Sequence, residues 1–498
     1  MFAFAVHNAR TGKLWLVRDR LGIKPLYYAL ERQRLVFASE LTALLQHPSV
    51  ERTVDPDAIA AYLYYQYVPT PHSIYRGIRK LEPGTYLEID VRGGTVTQHR
   101  YWDLPVAVHR RPEAELREEL DALLSEAIDL HGRSDVPFGA FLSGGLDSSL
   151  VVGFMRDRIG PVRAYSIGFA EEAYSELPWA QRAAADLGVD FIPGVASSQM
   201  ALEMIPQLAR HFGEPFGDSS AVPTWLVSRH AAADVKMVLS GDGGDELFGG
   251  YELYRLAKAR PLAAQLPGVP GLMKFLSRWS PGAARRQAAY WHSLSSQELY
   301  DHCRRILPLE QVDRLMIAPM GFVPERLPIL GGADDPTLPM QALDVRTYML
   351  DDILTKVDRM SMANSLEVRV PLLDHKVVEF AFSLPPEMRL RRTSQGLVGK
   401  YLLKAIASKW FAPDFLHRRK MGFGIPVTEW LLGPLAGMVR ERLDDWPSGL
   451  YDLVRHDRVM DIVNAFYRDR GASVPSSQIW VMLMLKVWWD EVHVRSAR

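Results

Sequence analysis

The chain of 498 residues contains one cysteine, Cys303. That excludes an intramolecular disulfide, a cysteine-based zinc centre and a paired-thiol redox site. Its setting, "YDHCRRIL", reads as an amphipathic helix with the thiol as a small core residue, in preference to a nucleophile. Long apolar runs are missing as well: none approaches the roughly 18 residues that cross a bilayer. The opening "MFAFAVHNAR" has neither a basic leader nor a cleavage site, so it does not read as a signal peptide. Neither sign of charge prevails, with 58 Lys and Arg against 59 Asp and Glu, so no electrostatic reason exists to expect nucleic acid or an anionic membrane as partner. A Walker phosphate loop, Gly-x-x-x-x-Gly-Lys-Ser/Thr, does not occur. The expectation is a soluble cytoplasmic protein, too long for a single core.

What is present falls into two parts. The first hundred residues read as β-rich, with "MFAFAVHN", "LWLVRD", "PLYYAL" and "RLVFAS" as short strands broken by turn residues. "VDPDAIAAYLYYQYVPTP" reads as an Asp-capped helix stopped by proline, and "GTYLEIDVRGGTVTQHRYW" as a hairpin. "DLPVAVHRRP", between Asp103 and Pro112, is the expected domain boundary. Beyond it a charged helix is followed by alternating strand and helix patterns up to "KMVLSG", which argues for a parallel sheet with crossover helices. From about Tyr251 the pattern is mainly helical.

Four stretches carry chemistry. "FLSGGLDSS" ends the first parallel strand, where open α/β sheets bind ligands. Gly144 and Gly145 let backbone N–H groups approach an anion, and Ser143, Ser148 and Ser149 add hydroxyls at a helix N-terminus. Asp147 would repel phosphate unless a cation lay between them, which points to Mg²⁺. A plain helix cap is the bland alternative. "MVLSGDGGDELFGGY" ends another strand in a glycine-rich loop with Asp242, Asp245 and Glu246, whose spacing is not that of an EF-hand. A parallel sheet would set these acids beside the first loop; the alternative is a solvated acidic turn. "DDILTKVDRMSMANSLEVRVPLLD" reads as a charged helix and an extended segment, in which Arg369 and Asp374 could pair structurally. In "LHRRKMGFGIP" three basic residues precede Gly422 and Gly424, so a lysine there could close over a negative transition state, unless it is ordinary surface charge.

"SGGLDSS" resembles the PP-loop of ATP pyrophosphatases, which release pyrophosphate while adenylating an oxygen. Together with "RDRLGIKPLYY", "SGDGGDELFGGY", "KVDRMSMANSLEVRVPLLD" and "RRKMGFGIP", in this order, it is similar to glutamine-dependent asparagine synthetase across essentially the whole chain. The resemblance implies an α/β fold: a PP-loop parallel sheet with a helical C-terminal region over residues 112–498, preceded by part of an N-terminal-nucleophile glutaminase over residues 1–103. It implies a ligase that activates aspartate with ATP and Mg²⁺ as β-aspartyl-AMP, then adds ammonia derived from glutamine. Carried over, Leu142 with Ser143, Gly144, Gly145, Asp147, Ser148 and Ser149 would grip ATP and pyrophosphate. Ile167 would meet adenine through its backbone, Ser240 and Gly241 would touch ATP, and Asp147 with Asp245 would hold Mg²⁺. Asp242, Asp352 and Lys420 would be the catalytic set, Lys420 neutralising charge at the α-phosphate. A homodimer is allowed for.

Two departures leave alternatives open. Asp242 stands where the family's well-studied type has Glu, which leaves the substrate open to a relative resembling β-lactam synthetase, a lasso-peptide cyclase or a polysaccharide amidotransferase. The family's cysteine nucleophile and its glutamine-binding segments lie ahead of the "MFAFA" strand, so the chain is expected to lack glutaminase activity. Either the true start lies upstream, or another amine is used. A non-catalytic nucleotide-binding homologue is the reading from a different class.

Overall fold

The structure, a computed structural model, describes residues 1–31, 34–105, 107–169, 175–259, 290–291, 293–330, 335–394, 396–418, 422, 424–445 and 448–495. Arg419 and Lys420 therefore lie outside the described residues.

The first hundred residues form two antiparallel sheets. β1 (Ala3–Asn8), β2 (Lys13–Arg18), β6 (Thr85–Asp90) and β7 (Thr95–Arg100) are ordered β1-β2-β6-β7, while β3 (Tyr27–Glu31), β4 (Arg34–Ala38) and β5 (Ile78–Lys80) are ordered β4-β3-β5. Strict alternation in β6 buries Thr85, Leu87 and Ile89 and turns Tyr86, Glu88 and Asp90 outward, the period-two signature of a half-covered sheet. Leu16, Leu26, Leu81, Leu87 and Ile89 make the small core beneath it. α1 (Pro56–Tyr65) starts where the Asp55 carboxylate accepts from the Asp57 N–H at 3.2 Å, with Pro56 at the first helical position. It is buried from Ala58 to Tyr65 and ends at Gln66, which takes up a left-handed φ of +71°.

α2 (Glu113–His131) buries Leu116, Leu120, Leu124, Ala127 and Ile128, a stripe at helical spacing. The parallel sheet follows: β8 (Phe138–Phe141), α3 (Leu146–Arg158), β9 (Arg163–Phe169), α4 (Leu177–Leu187), β10 (Asp190–Ala196), α5 (Ser198–Phe212), α6 (Ala221–Ala232) and β11 (Met237–Leu239). The strand order is β10-β9-β8-β11-β12, all neighbours parallel, with β12 (Glu367–Arg369) arriving late in the chain. The chain thus builds outward from β8 in one direction and then resumes on its other side with β11. That reversal is a topological switch point, and it lies between the carboxyl ends of β8 and β11.

The later half is mostly helical, but not wholly: the extended "EVR" segment completes the parallel sheet, and β13 (Leu390–Thr393) pairs with β14 (Gly396–Gly399). Helices that position the site are α7 (Gly244–Phe248), α8 (Glu252–Ala259), α9 (Ser296–Arg304), α10 (Leu338–Arg346), α11 (Thr355–Met362) and α12 (Tyr401–Ala407). Between α10 and α11 the turn Tyr348–Leu354 is π-helical, a widened geometry often found at functional positions. α13 (Ser476–Trp488) is buried throughout from Gln478 to Trp488 and runs through the core, where Val481 O accepts from the Tyr62 hydroxyl at 2.9 Å. No described helix is long and apolar enough to cross a membrane.

Two expectations are corrected. Cys303 is exposed on α9, whose buried residues are Leu299 and Tyr300, so the thiol is not a core residue. Arg369 and Asp374 do not pair. The Arg369 guanidinium binds Glu367 Oε1 at 2.6 Å and the carbonyls of His131 and Arg133, while Asp374 caps the next helix by accepting from Lys376 N. Strand pairing with β11 holds Arg369 at the sheet edge, so its side chain reaches the end of α2.

Candidate active site

The switch point brings the first two motifs into contact. β8 ends at Phe141, and Leu142 N donates to Tyr165 O at 2.9 Å before the chain turns. Ser143 and Ser148 close the turn, with Oγ atoms 3.1 Å apart, and Gly145 N donates to Ser143 Oγ at 3.2 Å. Gly144 has φ +72°, and a Cβ there would lie 2.5 Å from Ala180 N, so the loop is pressed onto α4. α3 starts immediately after, with Asp147 in its first turn. Ser149 is fully buried.

The loop after β11 leans on this turn. A Cβ on Gly241 would lie 2.5 Å from Ser148 N, and one on Gly244 would lie 2.5 Å from Asp147 Oδ1. At Gly241 the obstacle is the backbone of the first loop and at Gly244 it is the Asp147 carboxylate, so neither position has room for a side chain. Ser240 N donates to Arg369 O at 2.9 Å, and its hydroxyl donates to Asp242 Oδ2 at 2.6 Å. Burial pushes the Asp242 carboxyl above the ordinary range, against the Ser240 hydrogen bond.

Asp147 and Asp245, one from each loop, converge on a single cation. The Lys400 ammonium pairs with Asp147 Oδ2 and lies 2.7 Å from Asp245 Oδ1. Lys400 is buried and precedes α12 with a left-handed φ of +54°. Burial opposes its charge, yet the two carboxylates outweigh that and hold its pKa above the ordinary value. Among the described residues no group of three or more His, Cys, Asp or Glu side chains is poised for a metal. Two converging carboxylates in a tight cradle fit a divalent cation of the Mg²⁺ kind, which takes one or two carboxylates and completes its shell with phosphate oxygens and water.

The third acid of this loop is spoken for. Glu246 is buried and accepts from the Tyr251 hydroxyl; burial, then the negative charge of Asp245, pushes its pKa up to about 7. A carboxyl whose folded pKa lies above its unfolded 4.5 binds more protons when folded, so stability falls as pH rises from about 4.5 to about 7. Glu246→Gln keeps an acceptor for Tyr251 without the charge. It should raise stability at pH 8 by of order 2–3 kcal/mol and change little at low pH. Thermal unfolding at both pH values checks this; an equal effect at the two would contradict it.

A second polar cluster adjoins the first. Asp352, on the π-helical turn, is fully buried and accepts from Gln66 Nε2 at 2.7 Å. Lys356, one turn on, binds Asp218 Oδ2 and Ser220 Oγ, both at 2.7 Å. Although burial opposes it, the Lys356 charge brings Asp218 down to about 2, whereas burial and then Asp218 push Asp352 well up. Asp242 feels the charge of Lys356, which links this cluster to the loop after β11. Ile167 lies in β9 beyond its last pair with β8, Phe141 with Tyr165, so its main chain passes the mouth of the first loop.

The structure thus brings together Leu142, Ser143, Gly144, Gly145, Asp147, Ser148, Ser149, Ser240, Gly241, Asp242 and Asp245, with Asp352 in the adjoining cluster. Lys420 lies outside the described residues; Arg418, two residues earlier, donates to Gly144 O at 2.8 Å and pairs with Glu176 at 3.2 Å. Sequence reasoning missed Lys400, Gln66 and Asp218, and read Arg418 only as one of three basic residues ahead of Gly422 and Gly424. The only available signals were a Gly-Lys step before a helical pattern for Lys400 and an Asp-Ser-Ser turn for Asp218.

Comparison with known proteins gives matches along the chain. The profile of the asparagine synthase family matches residues 119–490, and that of a glutamine amidotransferase domain matches residues 1–102. The chain is 31% identical to asparagine synthetase [glutamine-hydrolyzing] 1 of Bacillus subtilis, over 98% of this chain and 77% of that protein. It is 32% identical to a putative asparagine synthetase [glutamine-hydrolyzing] of Mycobacterium tuberculosis, over 98% and 76%. Amidase chry2 of Gibberella zeae is 25% identical over 88% of this chain and 71% of its own length. A solved glutamine-dependent NAD+ synthetase from Acinetobacter baumannii, with ADP, aligns over 60% of this chain and 71% of its own at 16% identity and a TM-score of 0.21.

Proposed function

The chain belongs to the asparagine synthase family, and from that premise we propose that it is an ATP-dependent amide-forming ligase that makes asparagine from aspartate. The observation that carries this is the meeting of two glycine-rich strand ends at the switch point, each contributing one carboxylate to a shared cation position. The loop from Leu142 to Ser149 grips the ATP phosphates and later pyrophosphate through main-chain N–H groups and hydroxyls, with Ser240 and Gly241 closing the other side. The main chain of Ile167 reads the adenine edge. Asp147 and Asp245 hold Mg²⁺, which supplies charge neutralisation on the phosphate oxygens. The absence of a Walker lysine fits cleavage between the α and β phosphates, which leaves AMP on the β-carboxyl of aspartate.

Asp242, Asp352 and Lys356 face the acceptor. Lys356 supplies a fixed positive charge for its carboxylate, and Asp218 keeps that charge in place. Ammonia attacks the acyl-adenylate, and Lys420 stabilises the charge that develops at the α-phosphate. In the relatives whose names specify glutamine hydrolysis, glutamine is the source of that ammonia. A cytoplasmic location belongs to the same reading.

In a second reading another carboxylate is amidated, and Asp242 is the residue that favours it. The shorter acid at Asp242 leaves more room at the acceptor. Pyrophosphate exchange into ATP separates the two. Aspartate should stimulate exchange and glutamate should not; exchange that ignores aspartate would overturn the aspartate assignment while leaving adenylation intact.

A further inference from the structure

Lys400 is a third partner of the two carboxylates that the proposed function gives to the metal. Its ammonium lies on both at once, buried, and at the end of a side chain whose backbone takes a conformation that L-residues rarely adopt. Such backbone conformations persist only where the surroundings over-determine them. Here the surroundings are tight: Lys400 N donates to Phe248 O at 3.0 Å at the end of α7, and a side chain on Gly250 would run into both Asp245 and the Lys400 stem.

We propose that Lys400 is a resident counter-cation for the Asp147–Asp245 pair, so that the nucleotide-free chain excludes a free divalent cation and accepts it only together with a polyphosphate. This rests on the reading that these acids are the metal ligands. Three observations support it. Two carboxylates bridged by an ammonium already have their charge balanced to within one unit, so a divalent cation gains little unless the ammonium leaves. An ammonium displaced within a buried site needs an anion nearby, because an unpaired buried charge is costly. Lys404, one turn along α12, adds a second cation to this corner and forms no ion pair among the described residues. Burial, with the positive charges of Arg255 and Lys400, lowers its pKa to about 8. The anion that fits is the triphosphate of ATP or released pyrophosphate, held by the loop from Ser143 to Ser149 next to Asp147. Metal and nucleotide then bind with positive coupling, each removing an obstacle to the other.

Mn²⁺ binding to the full chain, followed by electron paramagnetic resonance, tests this without turnover. The wild type without nucleotide should bind free Mn²⁺ no better than the Asp147→Asn chain does. Lys400→Met should bind it about tenfold or more tightly, as expected when one like charge leaves a buried site. Adding a non-hydrolysable ATP analogue should tighten Mn²⁺ binding in the wild type and tighten it less in the variant. Equal affinity of wild type and Lys400→Met for free Mn²⁺ would overturn the proposal. Lys400→Gln, which keeps a donor to the acids, is the second variant should methionine unfold the chain, and it should gain affinity in the same direction. Loss of the analogue-dependent signal in Asp147→Asn checks the metal-ligand reading separately; if that signal persists, the reading fails whatever Lys400 does.

Discussion

Lys420→Ala should cut amide formation by about 10²–10³ while leaving ATP affinity nearly intact, the pattern of a group that acts on charge developing in the transition state. The expectation joins a motif to a contact. Arg418 is fixed at the first loop: its guanidinium donates to Gly144 O at 2.8 Å, pairs with Glu176 at 3.2 Å and lies 5.0 Å from the centre of the Trp179 ring. Arg418 precedes Lys420 by two positions in the chain. Gly422 and Gly424 follow Lys420 in sequence, and an added Cβ on either would meet nothing within 4 Å among the described residues. Two residues of chain span at most about 7 Å, so on the proposed function the α-phosphate falls within reach of a lysine that follows this anchor. Single-turnover amide formation with saturating ATP, alongside nucleotide binding, checks this. Wild-type turnover would remove Lys420 from the mechanism, and a matched loss of ATP affinity would make it a ground-state ligand instead.

The parts of this site that were legible in the sequence are those whose chemistry is local. A strand running into Ser-Gly-Gly, or into Ser-Gly-Asp-Gly-Gly, announces its own turn because backbone conformation and anion approach both demand glycine there. The alternation of strand and helix patterns likewise exposes the parallel sheet. What was not legible depends on tertiary contact. Lys400 is ordinary as a residue before a helix; only folding of α12 against α7 sets its ammonium between two acids that lie 253 and 155 positions away in sequence, as the numbers 147, 245 and 400 imply. Gln66 reads as a helix-end residue and becomes a partner of Asp352 only because the β-rich part docks on the π-helical turn. Cys303 fails for the opposite reason. Its helix is amphipathic, as read, but periodicity alone does not say which side of a boundary position faces solvent.

Lys80→Met should destabilise the chain by about 3–5 kcal/mol, the cost of stripping one partner from a buried ionic cluster. The Lys80 ammonium, at the end of β5, lies 2.6 Å from Glu214 Oε1, 3.7 Å from Asp351 Oδ1 and donates to Val68 O at 2.5 Å. All three charged side chains are buried. Burial raises the Glu214 pKa even with Lys80 beside it, so the ion pair does not fully offset desolvation, and without Lys80 two carboxylates would share one dry pocket. Asp351 retains Thr70, whose N–H and hydroxyl donate at 2.8 and 2.6 Å, but these neutral donors cannot replace a charge. The cluster also has a functional neighbour: Asp351 and Asp352 are consecutive on the π-helical turn, so loosening one shifts the other's contact with Gln66. The midpoint of urea unfolding measures the loss, and Lys80→Met combined with Glu214→Gln should recover part of it, because the second change removes the stranded charge. An unchanged midpoint in the single variant would mean that water reaches the cluster and that docking of the β-rich part on the π-helical turn does not depend on it.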